Sequence, residues 1–93
     1  MDISFNARVS VAPGTLVSQL AGESVLLNFD TECFFDLDQV GTRMWIALTT
    51  SDSIQAACER LLSEYAVTPQ KLRSDLKELL EKLVERGLVQ LKA

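Results

Sequence analysis

The stretch Leu26–Trp45, LLNFDTECFFDLDQVGTRMW, decides how this chain folds, because the hydrophobic period changes inside it. Up to Leu37 it reads as strand, turn, strand, and from Asp38 the apolar residues recur every three to four positions, the spacing of one face of a helix. Phe34 and Phe35 stand side by side in the extended part. Neighbouring side chains of a strand point to opposite faces, so only one of the two can enter the same core. Cys33, Phe35 and Leu37 share a face, and because Leu37 leads directly into the helix, that face is expected to be the buried one. Phe34 and Asp36 then point the other way, which leaves Phe34 either covered by the amino-terminal arm or available to a partner.

Upstream, residues 1–14 contain Pro13-Gly14 and no clear period, and read as a loose arm. Thr15–Leu20 and Val25–Phe29 form an expected hairpin around AGES, with Gly22 supplying the positive φ of the turn. A second turn, Asp30–Glu32, leads to a third strand, Cys33–Leu37. Such a meander has two edges, and an edge strand offers unpaired N–H and C=O groups to any extended chain.

Downstream, Asp38 is expected to cap a helix over Gln39–Leu48, with Val40, Met44, Ala47, Leu48 and Trp45 facing the core and Gly41 permitting close approach. Asp52 with Gln55 resembles a capping box for a second helix, whose stripe is Ile54, Ala57, Cys58, Leu61, Leu62 and Tyr65. A third helix has Thr68 as cap, Pro69 in its first turn and Gly87 as its stop, enclosing Leu72, Leu76, Leu79, Leu80, Leu83 and Val84. Leu88 can fold back on Leu83, and residues 88–91 have the look of a short extended segment. The expected class is α+β: a three-stranded antiparallel sheet followed by three helices, in one domain. That is also the order of winged helix-turn-helix domains, so the fold leaves function open.

Composition excludes several functions. With 93 residues, 47% of them hydrophobic, the chain can bury one modest core. Lys+Arg 9 against Asp+Glu 13 gives a net charge of −4. Residues 1–55 hold seven acids and two bases, and residues 56–93 six acids and seven bases, so the field is polarised. An acidic chain without a basic stripe grips phosphates poorly, and no nucleic-acid partner is expected. No apolar run approaches the ~20 residues of a bilayer span, and MDISFNARVS lacks the basic start and apolar segment of a signal peptide. The chain is expected to be cytoplasmic and away from membranes. It has no His, and Cys33 and Cys58 match no metal-ligand spacing, so neither a metal, a cofactor nor a catalytic residue is expected.

The ordered set Leu27-Asn28, Phe34-Phe35, Leu37-Asp38, Gly41, Trp45, Tyr65, Asp75, Leu79 and Gly87-Leu88 resembles the PqqD family over about Val17 to Val89. Asp38 stands where the family often has Asn, a change that keeps the cap. The resemblance implies a recognition element for the leader of a ribosomally made, post-translationally modified peptide, as in PqqD itself or the leader-binding proteins of lasso-peptide pathways. It implies that the leader adds as an antiparallel strand along the third strand, in the groove against the third helix, and is presented to a separate modifying enzyme: a protease, cyclase or radical enzyme. Carried onto this sequence, the expected peptide-binding residues are Cys33, Phe34, Phe35 and Asp36 on the strand, Arg73, Lys77, Leu80 and Val84 on the helix, and Leu76 at the floor. The opposite helix flank, Lys71, Asp75, Glu78 and Lys82, is the alternative. The rival functions are a winged-helix DNA-binding regulator and a dimerisation or adaptor domain. The span Pro69–Arg86 carries five bases and four acids, as an ordinary solvated helix does, rather than a basic recognition face.

Overall fold

A computed structural model describes residues 3–92. Two turns shape its main sheet. Ala21 and Gly22 have φ of 55° and 81°, the geometry of a type I′ turn, whose twist matches that of the strands it joins. It connects β2 (Thr15–Leu20) to β3 (Glu23–Asn28) and closes on the pair Leu20–Glu23. A longer turn, with Glu32 at φ 57°, leads into β4 (Cys33–Leu37), the strand expected as the third. The sheet is antiparallel in the order β2-β3-β4, leaving β4 at an edge.

Three helices follow: α1 (Gln39–Thr50), α2 (Ile54–Glu64) and α3 (Pro69–Glu85). Asp38 caps α1, its carboxylate accepting from the Gly41 N–H at 2.7 Å. A Cβ at position 41 would lie 3.1 Å from Leu37 Cδ2, so glycine lets the helix start tight against the strand it leaves. Met44, Trp45, Ala47 and Leu48 are buried as the period predicts, whereas Val40 is 47% exposed. Thr42, two residues on and so on a different side of the helix, is buried instead. Its hydroxyl lies 2.7 Å from that of Ser24, which is also buried, on β3, and this hydrogen bond satisfies two polar groups that neither could leave unpaired inside.

The cap of α2 falls one residue later than the sequence suggests. Ser53 Oγ accepts from the Ala56 N–H at 3.0 Å, and Gln55 accepts from Arg73 instead of closing a capping box. Ser53→Ala is therefore expected to lower stability by about 1 kcal/mol while Asp52→Ala changes it little, measured by urea denaturation. Helix α3 begins as its sequence predicts, with Thr68 Oγ1 accepting from the Lys71 N–H at 3.2 Å. Its end is a Schellman motif. Gly87, at φ 70°, donates to Val84 O at 3.0 Å and Leu88 to Leu83 O at 2.9 Å.

The arm expected to be loose over residues 1–14 is tied down at two places. Arg8–Val11 forms β1, paired antiparallel with β5 (Val89–Lys92) from Arg8–Lys92 to Val11–Val89. Ahead of it, the carbonyls of Ala7 and Phe5 accept from the Ile54 and Gln55 N–H groups at 2.9 and 2.8 Å. Those donors belong to the first turn of α2, which has no partners within its own helix. Val9 and Val89 enter the core, which is otherwise built from Leu26 and Leu37 of the sheet and the buried faces of all three helices, with Leu48, Ile54, Leu61, Leu76, Leu80 and Leu83 among its best-covered side chains.

Candidate functional site

β4 is an edge strand of the main sheet, and a groove runs beside it. Leu20 and Glu23 close a two-residue turn and so exchange both of their backbone hydrogen bonds, and bonded pairs alternate from there. Ser24, Leu26 and Asn28 then bond toward β4, where Leu37, Phe35 and Cys33 are their partners. The N–H and C=O groups of Phe34 and Asp36 are left pointing out of the edge, two donors and two acceptors in line.

Beside that edge lies a cleft of about 540 Å³ between β4 and α3, lined by Phe35, Asp36 and Leu37 on one side, Leu79 on the other and Asp38 and Glu23 at its end. The Arg86 guanidinium sits over the Phe35 ring, 4.8 Å from its centroid. Phe35 is half-buried and packed against the core, as the alternation predicts. Phe34 is 64% exposed, so the arm does not cover it. Cys33 is half-buried and Asp36 exposed.

On α3 the structure brings a different flank to β4 than the one expected. Arg73 donates to Gln55 of α2 at 2.6 Å and lies 4.1 Å from the centroid of the Phe5 ring, on the side facing the amino-terminal segment. Lys77 follows it one turn later and shares that side. Val84 is half-buried against the core. Leu76 and Leu80 are fully buried and so form the core beneath the groove rather than its accessible floor. The flank that meets β4 carries Leu79 and Arg86, with Asp75 and Lys82 at the three- and four-residue spacings that place them on the same face. Leu79 lines the cleft and Arg86 stands over Phe35 beside it, and neither was among the expected residues. The available signal was Leu79 itself, the leucine at the margin of the stripe nearest the charged residues.

A buried amide fixes the position of this groove. Asn28, at the end of β3, donates from Nδ2 to Gly87 O at 2.7 Å, just past α3. Its Oδ1 accepts from the Asp30 and Thr31 N–H groups at 2.8 and 3.2 Å. One side chain thus links the turn before β4 to the end of α3.

Among the described residues, no group of three or more His, Cys, Asp or Glu side chains could hold a metal ion, and no helix is long and apolar enough to cross a membrane. The Cys58 thiol is pushed up by burial, an effect that Arg73 opposes and Glu59 reinforces. It therefore stays a protonated, buried hydrophobe near neutral pH.

The family model described as coenzyme PQQ synthesis protein D (PqqD) matches residues 23–89. A solved structure of TbiB1 in complex with the TbiA(beta) leader peptide is 26% identical with a TM-score of 0.81, the match covering 87% of this chain and 94% of that one. A lasso peptide synthetase B1 complexed with the leader peptide shares the fold at 24% identity and a TM-score of 0.79, covering 90% of this chain and 99% of the other. No curated protein matches.

Proposed function

The chain belongs to the PqqD family, and from that premise we propose that residues 1–93 act as a single recognition domain for the leader of a ribosomally made precursor peptide. The leader adds as an antiparallel strand to β4, pairing with the N–H and C=O groups of Phe34 and Asp36. Its inward-facing side chains enter the cleft between Phe35 and Leu79, with Cys33 and Arg86 toward one end. Backbone pairing gives the grip and the pocket gives the selectivity. The domain does no chemistry of its own. It holds the leader for a separate modifying enzyme, a protease, cyclase or radical enzyme, and so raises the effective concentration of the attached core peptide at that active site. The setting is the cytoplasm, where two unpaired cysteines are the ordinary state.

The observation that carries this reading is the open β4 edge running beside a cleft that pairs apolar walls, Phe35, Leu37 and Leu79, with an acidic end, in a fold shared with TbiB1, which was solved with a leader peptide bound. The DNA-binding alternative lacks the footprint it needs: α3 alternates Lys71, Arg73, Lys77, Lys82 and Arg86 with Asp75, Glu78, Glu81 and Glu85, and Lys71 is already paired with Asp75 at 3.0 Å.

The test is fluorescence anisotropy of a labelled leader from the precursor made by the same pathway, against a scrambled control. Saturable, leader-specific binding at or below about micromolar Kd is expected. Leu79→Ser is expected to weaken it about tenfold or more by removing apolar area from the cleft, whereas Arg73→Ala leaves it unchanged. Equal binding of leader and scrambled peptide would refute the proposal.

A further inference from the structure

The outer face of the sheet, turned away from the helices, carries rows of side chains that run across all three strands and stop at the open edge. One row is Leu16–Leu27–Phe34. Leu16 and Phe34 are 54% and 64% exposed, an unusual use of apolar surface on the solvent side of an antiparallel sheet, where alternation normally places polar residues. The next row is Ser18–Val25–Asp36. Asp36 ends that row with an exposed carboxylate that takes part in no ion pair or side-chain hydrogen bond among the described residues.

A strand added to β4 would continue both rows. The backbone groups of Phe34 and Asp36 face the edge, so each would exchange hydrogen bonds with the peptide residue directly opposite, whose side chain then lies on the same outer face about 5 Å away between Cβ atoms. In an antiparallel addition, the residue opposite Asp36 precedes by two positions the residue opposite Phe34, and the one between them points into the cleft. We infer that β4 reads its peptide on the outer face as well as in the cleft, selecting a basic residue opposite Asp36 and, two positions later, an apolar or aromatic residue opposite Phe34. The inference rests on the leader-binding reading and specifies the sequence such a leader carries.

Charge argues for this occupant over a second copy of the chain. Residues 15–38 hold Glu23, Asp30, Glu32, Asp36 and Asp38 and no Lys or Arg. Two copies stacked on this face would set carboxylates against carboxylates, whereas a peptide lysine or arginine meets the one at Asp36, and its aliphatic stem can lie along Val25, which is 43% exposed. Cross-strand opposite charges and aromatic or aliphatic pairs each favour pairing, and like charges directly opposite disfavour it.

The experiment uses the leader that saturates the protein in the anisotropy assay, in paired series with Lys or Glu placed at each successive position, read against the wild type, Asp36→Asn and Asp36→Lys. At one position Lys is expected to bind the wild type about three- to tenfold better than Glu; the preference vanishes in Asp36→Asn and inverts in Asp36→Lys. Two residues toward the carboxyl terminus, replacing the leader's apolar residue by Ser weakens binding to the wild type but has little further effect in Phe34→Ala. Both side chains are exposed, so the variants are expected to fold, which circular dichroism verifies. If the leader still binds and the order of affinities is the same for all three Asp36 forms at every position, outer-face reading is overturned while leader binding stands. A leader that does not bind the wild type overturns the premise and the inference together.

Discussion

Leu80→Asp is expected to yield a chain with no cooperative unfolding transition, because Leu80 is fully buried at the centre of the α3 stripe, flanked by Leu76 and Leu83, which are equally covered. Removing a leucine from such a site by itself costs about 2–5 kcal/mol. A carboxyl in its place adds the cost of a polar group with no partner, about 1–3 kcal/mol even when neutral. The total rivals the roughly 5–15 kcal/mol that holds a typical domain together. The measurement is near-ultraviolet circular dichroism together with urea denaturation. A native-like spectrum and a transition shifted by less than about 2 kcal/mol would contradict the packing described here. The result also decides how the peptide groove is tested: a loss of leader binding in Leu80→Asp would report unfolding, whereas Leu79, at the margin of the stripe and lining the cleft, reports on the site.

Asn28→Asp is expected to cost about 3–4 kcal/mol at neutral pH, lowering Tm by about 15 °C or more. The amide is 3% exposed, and its Nδ2 donates to Gly87 O at 2.7 Å. A carboxylate would set an anionic oxygen against a carbonyl oxygen at that distance, inside the protein. Burial and the facing carbonyl would raise the pKa of the new acid in the folded state above its unfolded value of about 3.9. Protonated, it can donate to Gly87 O, so the variant recovers stability toward the wild type below that unfolded value and loses it as pH rises through the folded pKa. Thermal melts of both proteins across this pH range check the sign: a deficit that stays constant, or that widens as pH falls, would show that the Gly87 contact is not the cause. The same substitution should weaken leader binding, because Asn28 ties the turn before β4 to the end of α3 and so sets the width of the groove.

The elements legible from sequence are those whose causes lie within a few residues. Asp38, Thr68-Pro69 and Gly87 punctuate α1 and α3 because a cap is a bond between a side chain or backbone group and the adjacent turn. The alternation in Cys33–Leu37 assigned Phe35 inward and Phe34 outward for the same reason, and the exposures agree. Val40 misled because what is buried on α1 depends on a distant element, and Asp52 because it had a local competitor. Thr42 entered the core through a hydroxyl partner on another element, and Ser53 took the cap next to Asp52. The arm was misread as loose because its apolar run is short and its partner strand lies at the far end of the chain.

By itself, the sequence determined the order of the three meander strands and the three helices, the inward and outward sets of the meander, and the leucine stripe of α3, since each follows from period and capping. Only the tertiary structure decided that Arg8–Val11 pairs with Val89–Lys92, that the carbonyls of Phe5 and Ala7 cover the first turn of α2, and that α3 turns Leu79 and Arg86 toward β4 and Arg73 away from it. The periodicity of a helix gives the angles between its own side chains. The two flanks of a stripe are equivalent in that description, and they become different only when the helix packs between a sheet on one side and another helix on the other.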